Sequence, residues 1–316
     1  TDVTIDLPEA HLWQGRRDPY LYRARAELLD GGTVLDTVET HFGCRSFSVD
    51  PEKGFFLNGV SYPLRGVSRH QDRQGVGNAL TPAMHEEDMT LIAEMGANTI
   101  RLAHYQHDQY FYDLCDQYGM VVWAEIPYIS NHMPNGRANT IQQMTELIRQ
   151  NYNHPSIVTW GIANEICIGG ETPDLHSNLE ELNRLAHRMD PTRLTTMACV
   201  FFMDPDSPAV RLTDIVAWNL YFGWYVGKTE LNDIWLDDFH ASHPDICCGL
   251  SEYGAEAVMN WQTSYPKKGD YTEAYQALYH EHMAQLLHDR PWIWASHVWN
   301  RFDFAADARD EGGEAG

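Results

Sequence analysis

The chain reads as an α/β protein: a (β/α)8 TIM barrel preceded by the last strands of an immunoglobulin-like β-sandwich. Three observations lead there. From residue 64 onward, short apolar runs alternate with helical periods, giving eight candidate strands. Polar and aromatic residues follow nearly every run instead of gathering after one or two. Before residue 50 the pattern is the period-two alternation of strands, with no helical period.

The first region, 1–50, carries a hairpin: Tyr20 to Leu28, a turn at Asp30-Gly31-Gly32, then Thr33 to Phe42. It is too short to form a sandwich alone, so it is expected to be that domain's C-terminal strands. Asp50-Pro51-Glu52-Lys53-Gly54 links it to a small hairpin, Phe55 to Pro63, which opens the barrel region 51–316. Barrel strands are expected at 64–68, 98–103, 120–126, 157–163, 194–200, 215–220, 246–251 and 293–299. Thr81 caps a first helix with Pro82 at its first position, and Met84, Leu91, Ile92 and Met95 mark its apolar face up to Gly96. Further helices are expected at 108–118 and 139–152. Leu175, Leu179, Leu182, Ala186 and Met189 form a stripe stopped by Pro191; Tyr275, Leu278, His282 and Leu286 form another stopped by Pro291. An open doubly wound sheet is disfavoured, because no Gly-rich phosphate loop follows any strand. No helical period follows the eighth strand, and the chain starts at Thr1 and stops in a loop-like tail, Asp310 to Gly316. A fragment lacking the final barrel helix is therefore expected, with self-association into a homo-oligomer as one response to an uncovered seam.

Composition narrows the function. Of 316 residues, 43% are hydrophobic and 12% aromatic, enough for a large core, and ten Trp and sixteen Tyr also suit stacking on sugars. Forty-five acids against 22 bases give a net charge of −23, which argues against nucleic acid and anionic membranes as partners. No apolar stretch is long enough to span a bilayer. The six Cys show no metal-ligand spacing and read as buried thiols in a reducing, cytoplasmic setting.

The chemistry centres on two glutamates. The apolar run Ile157 to Ile162 delivers Asn164-Glu165 to its carboxyl end, and Cys247 to Ser251 delivers Glu252 to another. Two carboxyl groups at the ends of separate buried strands meet the need of glycoside hydrolysis, one held protonated and one ionised. Glu125 and Glu256 are decoys, one at a neighbouring inward position and one past its strand.

Several stretches together resemble the β-galactosidases of glycoside hydrolase family 2: Phe55 to Gly59, Leu64 to His70, Ile100 to Tyr105, Asn153 to Ile157, Asn164-Glu165, Ser251 to Gly254, and Val298 to Phe304. The resemblance implies cleavage of terminal β-D-galactosides through a covalent glycosyl-enzyme, with retention of configuration. It makes Glu165 the general acid/base and Glu252 the nucleophile, with Arg101 and Tyr221 supporting the latter. Asn164 suits the sugar 2-hydroxyl, while His70 and His104 are implied sugar contacts and Trp299 the floor under the ring. The implied partner is a small carbohydrate. A β-glucuronidase of the same family is the alternative, since Asn219 to Tyr225 resembles its Asn-x-Tyr-x-Gly-Trp-Tyr loop. A catalytically crippled truncated chain and a non-catalytic carbohydrate-binding barrel are further readings, the last opposed by the presence of both glutamates. No cofactor or metal is expected. Where metal-dependent relatives carry Glu-x-His, this chain has Ile129-Ser130-Asn131, although His132 and Glu165 remain as nearby Mg²⁺ candidates.

Overall fold

The computed structural model describes residues 3–306. Strands β1 (Tyr22–Asp30) and β2 (Thr33–Phe42) form an antiparallel pair of their own. Gly31 and Gly32 make its turn at φ +54° and +90°, a left-handed conformation that side chains oppose. Its apolar residues lie open, Leu28, Leu35 and Val38 being 61–63% exposed. Strands β3 (Phe47–Asp50), β4 (Gly54–Leu57) and β5 (Val60–Ser61) form a small sheet whose Phe55 and Leu57 pack with Trp13, Tyr62, Trp123 and Trp294. This cluster plugs the end of the barrel where the strands begin.

Eight parallel strands follow: β6 (Leu64–Arg69), β7 (Thr99–Leu102), β8 (Val121–Glu125), β9 (Ile157–Asn164), β10 (Leu194–Val200), β11 (Ile215–Asn219), β12 (Cys248–Tyr253) and β13 (Ala295–Val298). Each pairs with the next, and β13 closes on β6 through Ala295 to Val298 against Leu64 to Val67. All eight expected strands form. Closure removes both sheet edges, so every strand is covered and the apolar runs are buried on both faces.

The helices are α1 (Pro82–Glu94), α2 (Gln109–Tyr118), α3 (Arg137–Asn151), α4 (Pro173–Met189), α5 (Leu231–Ser242) and α6 (Glu273–Asp289). Two apolar faces depart from expectation. On α1 the buried residues are His85, Asp88, Met89 and Ile92, while Met95 is exposed, because the helix turns two polar side chains inward to a buried arginine. Thr81 holds the cap position of α1 without a side-chain bond. On α6 the buried face is Tyr275, Tyr279, Met283 and Leu286, with Leu278 half exposed and His282 paired to Asp233. Between β10 and β11 only a 3-10 turn, Pro208–Arg211, is present; Pro205 and Pro208 prevent a longer helix there.

No helix follows β13 among the described residues, and the tail 307–316 lies outside them. The seam outside β13 and β6 holds a groove of about 890 Å³, lined by Val67, Val298 and residues of α6, and by Arg65. Arg65 spreads its guanidinium over the carbonyls of Leu64, Leu287 and Ile293, so the seam is less apolar than its strands suggest.

Candidate active site

Parallel pairing points all eight strand ends, and their loops, to one mouth. Alternation within strands sends Arg101, Glu125, Asn219 and Ser251 inward. The pairing is irregular beside both glutamates: β9 and β10 slip register before Asn164, and β11 and β12 slip before Glu252. Such bulges bend a strand and re-aim its last side chains. Glu165 is the first residue past β9, in a left-handed conformation (φ 48°), with its N–H donated to the Ala198 carbonyl at 2.8 Å. Glu252 lies within β12 rather than beyond it, since that strand runs to Tyr253.

Arg101 is the hub. Fully buried in β7, it donates from Nε and Nη2 to both Glu125 oxygens (3.0 and 3.1 Å), from Nη1 to Glu252 Oε1 (2.7 Å), and from Nη2 to Asn164 Oδ1 (2.7 Å). Tyr221 donates its hydroxyl to the other Glu252 oxygen at 2.7 Å. Burial, then the charge of Glu252, push the Tyr221 hydroxyl well above its ordinary pKa, so it stays a donor. Both oxygens of Glu252 thus accept charge-assisted or phenolic bonds.

Burial would raise Glu125, but Arg101 and His104 outweigh it and hold this carboxyl below the usual range. His104 Nδ1 lies 2.6 Å from Glu125 Oε1 and 3.3 Å from Arg101 Nη2. Two donors cannot share a bond, so the shorter contact sets the tautomer: Nδ1–H donates to Glu125, and Nε2 faces Glu252 Oε1 at 3.9 Å. Glu125 is thus the second carboxylate on Arg101. The other decoy, Glu256, accepts from Trp224 and Tyr225.

Glu165 is set apart electrostatically. Burial raises its pKa first, and the nearby charge of Glu252 raises it further, against weaker opposition from Asn219, Arg101 and His104. The Glu165 carboxyl is thus driven toward its protonated form, while Glu252 is tied to a cation.

Asn164 Oδ1 accepts from Arg101 and, at 3.4 Å, from Asn219, whose own Oδ1 accepts from Ser251 at 2.6 Å. A guanidinium can only donate, so this orientation of the amide is fixed and the Asn164 NH2 remains as a donor. Trp299, just past β13, stacks on the His104 ring (centroids 4.9 Å, 19° apart) and meets His70 edge-on at 5.2 Å. His70 also packs on Phe304 and bonds Tyr105 through Nδ1 (3.2 Å). Burial and the neighbouring His104 lower its pKa to about 4, which keeps it neutral.

All eight residues singled out from the sequence meet at this mouth: His70, Arg101, His104, Asn164, Glu165, Tyr221, Glu252 and Trp299. Sequence reasoning passed over Asn219 and Ser251, and set Glu125 aside. Their shared inward parity with Arg101 was the available signal. His132, one of the two Mg²⁺ candidates, is held between Tyr128 and Asp174. Among the described residues, the one cluster with metal-like spacing is Asp113, Asp116 and His154. There Asp116 already bonds His154 and the Ser156 N–H, fastening the turn before β9.

Fold and site together define a (β/α)8 barrel that gathers Glu165, Glu252 and a buried arginine at the carboxyl ends of its strands. Residues 49–312 match the TIM barrel domain of the glycosyl hydrolases family 2, and residues 1–45 match a second family model described as glycosyl hydrolases family 2; the chain belongs to this family. A β-glucuronidase of Bacteroides fragilis is 42% identical over 336 residues, covering 100% of this chain and 47% of that protein. Among solved structures, an FMN-binding β-glucuronidase from Facaelibacterium prausnitzii L2-6 superposes with a TM-score of 0.96 at 53% identity, over 98% of this chain and 48% of that one. A putative β-galactosidase from Bacteroides fragilis gives 0.91 at 39%, over 96% and 46%. The chain spans about half the length of such relatives.

Proposed function

We propose that this chain is the catalytic part of a retaining glycosidase that acts on β-D-glucuronides. The observation that carries the mechanism is the opposed treatment of its two glutamates. Glu252, ionised between Arg101 and Tyr221, attacks the anomeric carbon and forms a glycosyl ester. Glu165 gives its proton to the departing oxygen, then draws a proton from water as that water cleaves the ester. The NH2 of Asn164 suits the sugar 2-hydroxyl, and Trp299 with His70 and His104 forms the wall for the ring.

The substrate reading rests on the β-glucuronidase relatives and on Asn219 to Tyr225, and it displaces the galactoside first expected. A galactoside reading keeps support from Trp299 to Phe304 and from the putative β-galactosidase structure. Nitrophenyl β-D-glucuronide, galactoside and glucoside, assayed side by side, decide the matter. The glucuronide should be turned over fastest; a preference for the galactoside overturns the assignment. The proposal also carries a cytoplasmic setting, in keeping with six cysteines present as thiols, and catalysis without a metal. With His132 engaged by Tyr128 and Asp174, a chelator should leave the rate unchanged, and a rate restored only by added Mg²⁺ would refute that part.

A further inference from the structure

A second buried guanidinium lies behind the wall of the site. Arg69 ends β6, and its side chain points outward beneath α1 and α2 with no solvent exposure. Nε and Nη2 donate to Asp88 Oδ2 at 3.0 and 2.7 Å, and the guanidinium carbon sits 3.9 Å from the centre of the Phe111 ring. Nη2 also approaches His85 Nδ1 at 3.1 Å. Nη1 donates to His107 Nδ1 at 3.0 Å, which leaves the His107 proton on Nε2. That Nε2–H donates to the Ala103 carbonyl at 3.1 Å, while the Ala103 N–H donates to the Arg69 carbonyl, also at 3.1 Å.

The three bonds form a closed circuit around Ala103: Arg69 side chain to His107, His107 to Ala103, Ala103 back to the Arg69 main chain. All three residues are buried. Ala103 is the first residue past β7, its N–H making the last β6–β7 ladder bond, and it directly precedes His104. Burial, then the charge of Arg69, push His107 well below its ordinary pKa, so the acceptor at Nδ1 persists.

We propose that Arg69 and His107 are positioning residues that fix the backbone ahead of His104 and thereby set where its ring stands against Glu252 and Trp299. The inference builds on the glycosidase reading, since His104 matters there as part of the sugar wall. Its geometry has little slack. The ring is gripped by Glu125 at 2.6 Å and stacked on Trp299, so a main-chain displacement must move Nε2 relative to Glu252. Misplacement near 1 Å can cost roughly a hundredfold in rate.

Two substitutions separate positioning from bulk stability. In His107→Gln the amide can accept from Arg69 and donate to Ala103, preserving the circuit; His107→Leu breaks both bonds. Histidine-selective nitrogen NMR reads the His104 ring directly and needs no turnover. The Leu variant should shift or broaden the His104 signals and lower kcat/KM roughly 10- to 100-fold, while the Gln variant stays close to the parent in both. Should the Leu variant fail to fold, Arg69→Lys keeps a cation beside Asp88 but loses the fork to His107, and should disturb His104 in the same way. Unchanged His104 signals in a folded Leu or Lys variant overturn the proposal. A His104 that responds in a protein hydrolysing no glycoside would uphold the positioning and refute the glycosidase reading.

Discussion

Tyr221→Phe tests how Glu252 is used. The hydroxyl donates to Glu252 Oε2 at 2.7 Å, while Arg101 serves Oε1, so the substitution leaves Oε2 without a protein donor among the described residues. A hydrogen bond to a charged group is worth about 1.5–3 kcal/mol. Under the proposed retaining mechanism its effect should differ between the two chemical steps. In the first, Glu252 loses charge as it bonds to carbon, so the bond weakens on the way to the transition state and its loss does not slow the step. In the second, charge returns to the carboxylate as the ester breaks, and the donor assists. With about half the charge returned, the loss is about 0.8–1.5 kcal/mol, or roughly 4- to 13-fold in rate. Stopped-flow assays with a dinitrophenyl glycoside should show kcat and KM falling together, kcat/KM nearly constant, and a burst as the glycosyl-enzyme accumulates. An equal fall in kcat/KM with no burst would refute the assignment of Tyr221 to the departing nucleophile.

Arg101→Met removes the cation shared by Glu125 and Glu252, and breaking a buried pair in this way should destabilise the chain by about 3–5 kcal/mol in urea unfolding and abolish turnover; a loss below 1 kcal/mol would contradict the hub role. Glu165→Gln should gain stability relative to the parent as pH rises. The folded-state pKa of Glu165 is raised, so its favourable contribution is complete below the unfolded value, about 4.3, and disappears as pH climbs through the folded value. A stability difference that is the same at pH 4 and pH 8 would count against this. Gly161→Ala places a Cβ 2.4 Å from Trp123 Nε1 and 2.6 Å from the Glu125 Cβ, so it should cost about 1–3 kcal/mol and disturb the Arg101 network; a variant with parental melting and rate would show that the barrel interior yields there.

The sequence by itself determined the barrel. Its eight apolar runs are each too short to bury alone, and their alternation with helices leaves few ways to cover both faces. The positions of both glutamates stood out because polar residues follow buried runs, whereas sugar-contact roles such as those of His70, His104 and Trp299 came from the family resemblance. Helix faces were less legible: α1 hides His85 and Asp88 because Arg69 waits beneath them, and periodicity in one helix carries no sign of a partner on another element. Only the tertiary structure shows how differently the four acids are surrounded. Glu125, Glu165, Glu252 and Glu256 are the same residue type, and what separates them is distance to one guanidinium, depth of burial and the presence of each other's charge. Those quantities arise from strands 24 to 151 residues apart, brought together by closure of the ring.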